Sequence, residues 1–483
     1  MDMSLQASNY RPETAIAEIA DIIADPVRAA DFPQTILRFR NDKAAATVGL
    51  DSLTDDEWIG HFGRFKPLPD AQPEPLALRY HGHQFRVYNP DLGDGRGFLF
   101  AQLRESTEAG GRFLDLGTKG SGLTPWSRTA DGRLTLKGGV REILATEMLE
   151  ALGVTTSRTF SIIETGEQLV RGDEPSPTRS AVLVRLSHGH IRIGSFQRLF
   201  ALGETENIGR LLDYSLNNLM GVNPLNNKAL AMLEQVVLRT GDLAASYMVA
   251  GFVHGVLNSD NIAVTGESFD YGPWRFTPYW SPGFTAAYFD QNGLYSFARQ
   301  AEAIHWDVAQ LAHALQDHAG IEALVEVLRT FPAIYEQRLI ARFLWRAGFE
   351  APDAAAARAF VEAAVIALRG GEVLIDRFFF DVRRGTLAEA AYPGPTWDKV
   401  RAALTALSPA PGALDHPYWS GDAPCSMHID EVEAIWAAIA ERDDWQPLHD
   451  KVAAIRTMGA AHGRGPAPDW TVGGPSQEMS PAS

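Results

Sequence analysis

Apolar positions divide the chain into a strand-rich first part and a helical second part. From about residue 76 to 120, short apolar runs alternate with glycine-containing turns. Two of them are Gly97-Phe98-Leu99-Phe100-Ala101-Gln102-Leu103 and Phe113-Leu114-Asp115-Leu116-Gly117-Thr118-Lys119. Runs of this length bounded by turn residues predict strands. Val140, Ile143, Leu144, Met148, Leu149 and Leu152 then recur on one helical face, and Gly153 follows as a stop. Further strands are predicted from Thr159 to Glu164 and from Ala181 to Leu186. Helical patterns cover roughly 205–220 and 228–250, the second running directly into His254. Beyond residue 270 the pattern is mostly helical, with Ala-rich amphipathic stretches at Ala354 to Leu368 and Ile429 to Ala440.

The expected fold class is therefore α+β, with a strand-rich lobe over 76–200 and a helical lobe over 201–460. Residues 1–75 are mixed in pattern and contain proline, and read as an N-terminal extension. Residues 461–483 are rich in Pro, Gly and Ser and read as a disordered tail. No internal repeat is evident.

Composition narrows the function classes. Hydrophobic residues make up 45% and charged residues 21% of the 483 positions, as in an ordinary soluble protein. No apolar run reaches the length of a spanning helix, and the N-terminus lacks a basic-then-apolar signal design, so the expected location is cytoplasmic. A net charge of −17 argues against nucleic acid or anionic membrane as partner. The single cysteine, Cys425, excludes an internal disulfide and a multi-cysteine zinc site.

The chemistry concentrates in His254-Gly255-Val256-Leu257-Asn258-Ser259-Asp260-Asn261, followed by Asp270-Tyr271-Gly272. Kinase-like phosphotransferases carry a loop of the form H-x-D-x-x-x-x-N and then D-[FY]-G. There the Asn and the second Asp hold Mg²⁺, and the first Asp takes a proton from the attacking hydroxyl. In this chain Asn261 and Asp270 are in register, but Val256 occupies the base position and cannot accept a proton.

Four upstream features fit the same scheme, each with a plain alternative. Leu92-Gly93-Asp94-Gly95-Arg96-Gly97 suits close backbone approach to phosphates, or simply a tight turn. Lys119 ends a strand-like run, where it could meet phosphates or stand in solvent. Glu142 lies in the first turns of a helix, where it could hold Lys119 or be exposed. Arg185 ends an apolar strand, with Arg192 shortly after; both are suited to an anion or to the surface. Asp131-Gly132-Arg133 reads as a turn. The kinase order of these parts favours one shared explanation, nucleotide binding.

At these residues the chain resembles the selenoprotein O family. The shared segments are Gly82-His83-Gln84-Phe85, Leu92 to Arg96, Lys119-Gly120-Ser121-Gly122, Asp131-Gly132-Arg133, Arg141-Glu142, His254 to Asn261, and Asp270 to Pro273. The resemblance implies a protein-kinase-like two-lobe fold. It also implies transfer of AMP from ATP to Ser, Thr or Tyr hydroxyls of proteins, with ATP turned around so that the α-phosphate faces the acceptor. UMP transfer with Mn²⁺ is attributed to some members.

By position, Gly93, Gly95, Arg96, Lys119, Asp131 and Gly132 would contact the nucleotide, and Arg185 and Arg192 its phosphates. Glu142 would orient Lys119, and Asp260 would be the proton acceptor. Asn261 and Asp270 would bind the metal, Mg²⁺ or Mn²⁺, with Asp270 also at the nucleotide. Arg86, Leu123 and Lys137-Gly138-Gly139 depart from the family pattern, as do His416 to Trp419 and the segment around Cys425. The tail lacks the Cys or selenocysteine motif of longer members. A conventional kinase remains the competing expectation, with Val256 against it. A nucleotide-binding module without catalysis is the third, with Asp260, Asn261 and Asp270 against it.

Overall fold

A computed structural model describes residues 9–106, 111–172, 174–224 and 226–466. The strands that matter here are β1 (Pro12–Glu13), β2 (Ala24–Pro26), β3 (Ile36–Arg40), β4 (Leu76–Leu78), β5 (Gly82–Gln84), β6 (Val87–Asn89), β7 (Leu99–Arg104), β8 (Phe113–Lys119), β9 (Leu134–Thr135), β10 (Arg158–Leu169), β11 (Thr178–Ser187), β12 (Phe252–Val253) and β13 (Arg275–Phe276). One antiparallel sheet runs in the order β2-β4-β7-β8-β11-β10-β3, with β1 added to β7 and β9 to β11. The hairpins β5-β6 and the pair β12-β13 stand apart from it.

The segment read from sequence as an N-terminal extension is part of this sheet. β3 pairs with β10 and β2 with β4, so residues 24–40 supply both edges. These strands are short and carry Pro26, Arg38 and Arg40, so their apolar alternation is too weak to stand out.

The helices that matter here are α1 (Asp55–Phe62), α2 (Leu136–Ala151), α3 (Ile193–Ala201), α4 (Thr205–Tyr214), α5 (Lys228–Ala250), α6 (Gln300–Ala314), α7 (Ala354–Leu368), α8 (Ile429–Arg442) and α9 (Gln446–His462). α1 is closed by a capping box, in which Thr54 Oγ1 accepts from the Glu57 N–H and the Glu57 carboxylate from the Thr54 N–H. α2 starts three residues before Gly139, because Thr135 Oγ1 accepts from the Gly138 N–H. Gly153, at φ +76°, turns the chain out of it.

Both faces of the sheet are covered, which explains continuous apolar runs rather than alternation. On β11, Ala181 and Leu183 join the core under α2, while Val182, Val184 and Leu186 join Trp58, Phe62 and Phe160 on the other face. Trp58 stacks on Phe160 at 4.8 Å between ring centroids. Each such buried side chain contributes about 1.5–3 kcal/mol of transfer free energy.

The expected helix over 205–220 is α4 continued by a π-helical turn, Ser215–Met220, which ends at Gly221 in the left-handed region. α5 is buried on nearly every side and ends at Gly251, φ +70°, which turns the chain into β12 and His254. α9 extends to His462, into the stretch expected to be disordered; residues 467–483 of that stretch lie outside the described residues. No helix among the described residues is long and apolar enough to cross a membrane.

Candidate active site

Strand register fixes the first part of the site. Lys119 of β8 faces Leu183 of β11, and Gly117 faces Arg185. Side chains two apart on a strand share a face, so Lys119 and Arg185 both project toward α2. Glu142 comes down from α2 on that face and is 1% exposed. Its carboxylate accepts a hydrogen bond from Lys119 Nζ. Both solvent-exposed alternatives are thereby excluded: Lys119 and Glu142 are a buried strand–helix ion pair. Burial pulls the Lys119 pKa down, and Glu142 and Asp270 oppose that shift.

The connector after β11 brings the second arginine. His190 anchors it, its backbone N–H and Nδ1 lying 2.9 and 3.1 Å from Asp115 Oδ2. The ring fills the space above Gly117, where a Cβ would sit 2.1 Å from His190 Nε2. Two residues later Arg192 enters the cavity. It donates to Asp270 Oδ2 (2.7 Å), the Asp260 carbonyl (2.8 Å) and Asp94 Oδ1 (3.2 Å). Its guanidinium is sandwiched over Tyr80 and Phe269, 4.5 and 4.6 Å from their centroids.

Asp270 is the hub. Its Oδ1 accepts from Arg185 Nη1 at 2.5 Å, and Lys119 Nζ lies 3.8 Å from the same oxygen. Burial pushes this carboxyl up, but Arg185, Arg192 and Lys119 outweigh it and hold it well below its ordinary value. Asp270 also has φ +59°, an uncommon backbone state that stores strain at the site. Arg141 of α2 secures the following loop by donating to Trp274 O (3.0 Å) and stacking 4.7 Å over its ring.

Asp260 has a different environment. It is 7% exposed, and its Oδ1 has no hydrogen-bond partner. Burial raises its pKa to about 6, against the lowering influence of Arg192. The loop carrying it is held from behind. His254 Nε2 lies 2.9 Å from Phe269 O, and Gln300 Oε1 accepts the His254 N–H at 3.0 Å. The β5-β6 hairpin holds it from the front. Ser259 Oγ accepts the His83 N–H (2.8 Å), and Asn258 Oδ1 accepts the Phe85 N–H (3.1 Å). Gly82 is required here, since a Cβ would lie 2.9 Å from the Asp260 Cβ.

These groups face one cavity of about 450 Å³, lined among others by Gly93, Gly95, Arg96, Lys119, Arg185, Arg192, Val256, Asp260, Asn261 and Asp270. The glycine turn is shaped by protein as well as by available space. A Cβ at Gly93 would meet the Trp126 ring at 2.4 Å, and one at Gly97 the Thr118 carbonyl at 2.0 Å. Thr124 Oγ1 and Ser127 Oγ donate to Asp94 O (2.6 Å) and Gly95 O (2.5 Å), clamping the next loop onto the turn.

Asp131 and Gly132 are not brought to the cavity lining. The Asp131 carboxylate binds Arg171 (2.8 and 3.0 Å) and the Arg133 N–H (3.0 Å), while Gly132 turns the chain against Gly122. Asp94, Tyr80, Phe269 and Trp126 are site residues that the sequence reading did not single out. Asp94 was signalled by its place between Gly93 and Gly95; the three aromatics carried no signal.

Asn261 and Asp270 offer hard oxygens. Asn261 Nδ2 donates to Val256 O at 3.1 Å, which leaves its Oδ1 for another partner. An amide and a carboxylate oxygen beside a cavity lined by Lys119, Arg185 and Arg192 form a donor set that fits Mg²⁺ or Mn²⁺. Among the described residues there is no cluster of three or more His, Cys, Asp or Glu able to hold a metal unaided.

The family described as "Protein adenylyltransferase SelO" matches residues 5–394. This chain belongs to the SelO family. Its relatives include "Protein nucleotidyltransferase YdiU" of Synechocystis sp., 39% identical over 93% of this chain and 98% of the relative. The protein of the same name from Gloeobacter violaceus is 42% identical over 92% and 94%. The SelO match begins in the segment that forms the sheet edges, in keeping with that segment being part of the fold. Among solved structures, a Toxoplasma gondii rhoptry antigen kinase domain is similar over 69% of this chain and 84% of its own. At 11% identity and a TM-score of 0.25 that likeness carries no argument. As a SelO member the chain is an enzyme of the protein nucleotidyltransferase class.

Proposed function

We propose that this enzyme transfers AMP from ATP to Ser, Thr or Tyr hydroxyls of proteins and releases pyrophosphate. The observation that carries the reading is the contrast between Val256 and Asp260. The usual base position holds a valine, while four residues on a buried carboxylate with an unpartnered oxygen faces the same cavity.

In this reading Asp260 takes the proton of the acceptor hydroxyl. The hydroxyl oxygen bonds to the α-phosphorus, and the bond from that phosphorus to the α–β bridging oxygen breaks. The electron pair leaves with pyrophosphate. A base whose pKa is raised toward neutrality is better matched to this proton transfer than an ordinary carboxylate. Lys119, Arg185 and Arg192 hold the phosphates and offset the charge of the leaving group. Glu142 keeps Lys119 in place. Asn261 and Asp270 would hold a Mg²⁺ or Mn²⁺ ion, which when bound neutralises phosphate charge. The acceptor is aligned by the loop that the β5-β6 hairpin braces.

Intact-mass analysis of a protein acceptor after incubation with ATP tests the reading. A gain of one AMP, together with label from α-labelled but not γ-labelled ATP, is expected. Label from the γ position alone would establish a kinase instead. A UMP gain from UTP with none from ATP would change the donor assignment.

A further inference from the structure

A second cavity, of about 440 Å³, lies at the far end of the sheet, between the β7-β8 end and the π-helical turn. Arg104, Arg112, His188 and Arg239 line it, and among the described residues no carboxylate does. In a chain of net charge −17 that is an unusual wall. The carboxylates that partner these bases stand outside the lining. Arg104 pairs with Glu13 (2.6 Å) and Arg112 with Glu105 (2.7 Å), while the His188 ring Nδ1 lies 2.6 Å from Glu267 Oε1 and the His188 backbone N–H donates to Glu267 Oε2 (2.8 Å). Arg239 is hydrogen-bonded to the neutral Gln235 Oε1 at 3.2 and 3.3 Å. Thr265, 5% exposed, adds a buried hydroxyl whose oxygen has no hydrogen-bond partner, and the Asn217 amide lies on the rim.

We propose that this cavity is a second anion site, taking a short polyphosphate chain and coupling its occupancy to the nucleotide cavity. The three arginines, an amide and a hydroxyl supply donors only or rotatable groups, which suits phosphate oxygens, while His188 serves as acceptor for Arg112. The free volume exceeds what one phosphate fills. The coupling is structural. His188 and Arg192 sit four residues apart on the connector from β11 to α3, one in each cavity. Arg112 donates to His188 Nε2, so a ligand that draws Arg112 inward pulls on the start of that connector. Its far end carries the guanidinium that grips Asp270.

The site is independent of the AMP-transfer reading, and binding alone tests it. Inorganic tripolyphosphate titrated calorimetrically into the full chain should report two sites. Lys119→Ala should remove or weaken one of them, and Arg112→Gln the other. Asn217→Asp puts a like charge on an exposed rim position without changing side-chain shape, so folding is preserved if Arg112→Gln fails. It should weaken the second site about fivefold or more, the effect of roughly 1 kcal/mol between nearby charges in water. Repeating the titration with ATP separates a nucleotide's phosphate chain from free polyphosphate as the source. A single site sensitive to Lys119→Ala and indifferent to Asn217→Asp would overturn the proposal. Two sites without any change in ATP affinity at the first when the second is filled would overturn the coupling.

Discussion

Arg192 and Asp270 meet at 2.7 Å, Nη1 to Oδ2, although 78 residues separate them in the chain. The contact joins the connector leaving the sheet to the loop after the catalytic-type motif. Asp270 also carries Arg185, so one carboxylate pairs with two buried guanidiniums. Asp270→Ala should abolish nucleotide transfer and cost about 3–5 kcal/mol of stability by leaving buried charge uncompensated. Label transfer and a urea unfolding curve check both. Full transfer by the folded variant would remove Asp270 from the proposed metal and phosphate site.

Asp260 should behave in the opposite way in stability. Its folded pKa, about 6, lies above the ordinary 3.8, so the unfolded chain gives up the proton first as pH rises. The contribution of Asp260 to stability therefore falls between pH 3.8 and about 6 and is level above that. Asp260→Asn should raise unfolding stability at pH 8 by up to about 3 kcal/mol, with the gain vanishing below pH 4. The same variant should bind ATP and lose most transfer. A variant that is no more stable at pH 8 than at pH 4, relative to wild type, would contradict the buried-carboxylate account.

Two other buried aspartates should separate cleanly. Asp307 has an unpartnered Oδ2, and burial raises its pKa well above the ordinary value. Burial thus favours the neutral acid, whose shape an amide keeps, so Asp307→Asn should be tolerated, at about 1 kcal/mol or less either way. Asp242 instead holds Arg342 through both oxygens, at 2.5 and 2.7 Å, with both side chains 3% exposed. Asp242→Ala should cost about 3–5 kcal/mol. Parallel thermal melts at pH 7 check the contrast.

Gly117→Ala tests the anchoring of the connector. The new methyl would lie 2.1 Å from His190 Nε2, so the ring must leave its place beside Asp115. We expect a loss of about 1–3 kcal/mol from overpacking and a weaker grip of Arg192 on nucleotide, read as a raised KM for ATP. An unchanged KM in a destabilised variant would mean that His190 serves folding alone.

Much of the site was legible because its chemistry is carried by rare residue types in fixed order. Lys119, Asp260, Asn261 and Asp270, far apart in the chain, line one cavity and Glu142 pairs with Lys119, while the long elements β8, α2 and α5 follow from apolar pattern. Whether Lys119 and Glu142 were buried could not be read from spacing; it is settled by β8 register and by the α2 face that Glu142 occupies. Tyr80 and Phe269 were invisible because an aromatic beside an arginine in space leaves no trace in sequence distance, and the packing of Trp126 on Gly93 leaves none either. Asp131 matches a motif, yet its carboxylate is turned to Arg171, a contact 40 residues away that no local pattern encodes.

The placement of residues 24–40 on both edges of the sheet bears on how the protein is made. A ribosome releases the two outermost strands first and the central ones last, since β11 ends at Ser187. β2 must wait, unpaired, for about fifty residues before β4 arrives, and β3 for more than a hundred before β10. A fragment lacking β2 and β3 would expose the bare flanks of β4 and β10, inviting association between copies. Expression of shortened versions should begin ahead of Pro12, not at the first recognisable motif.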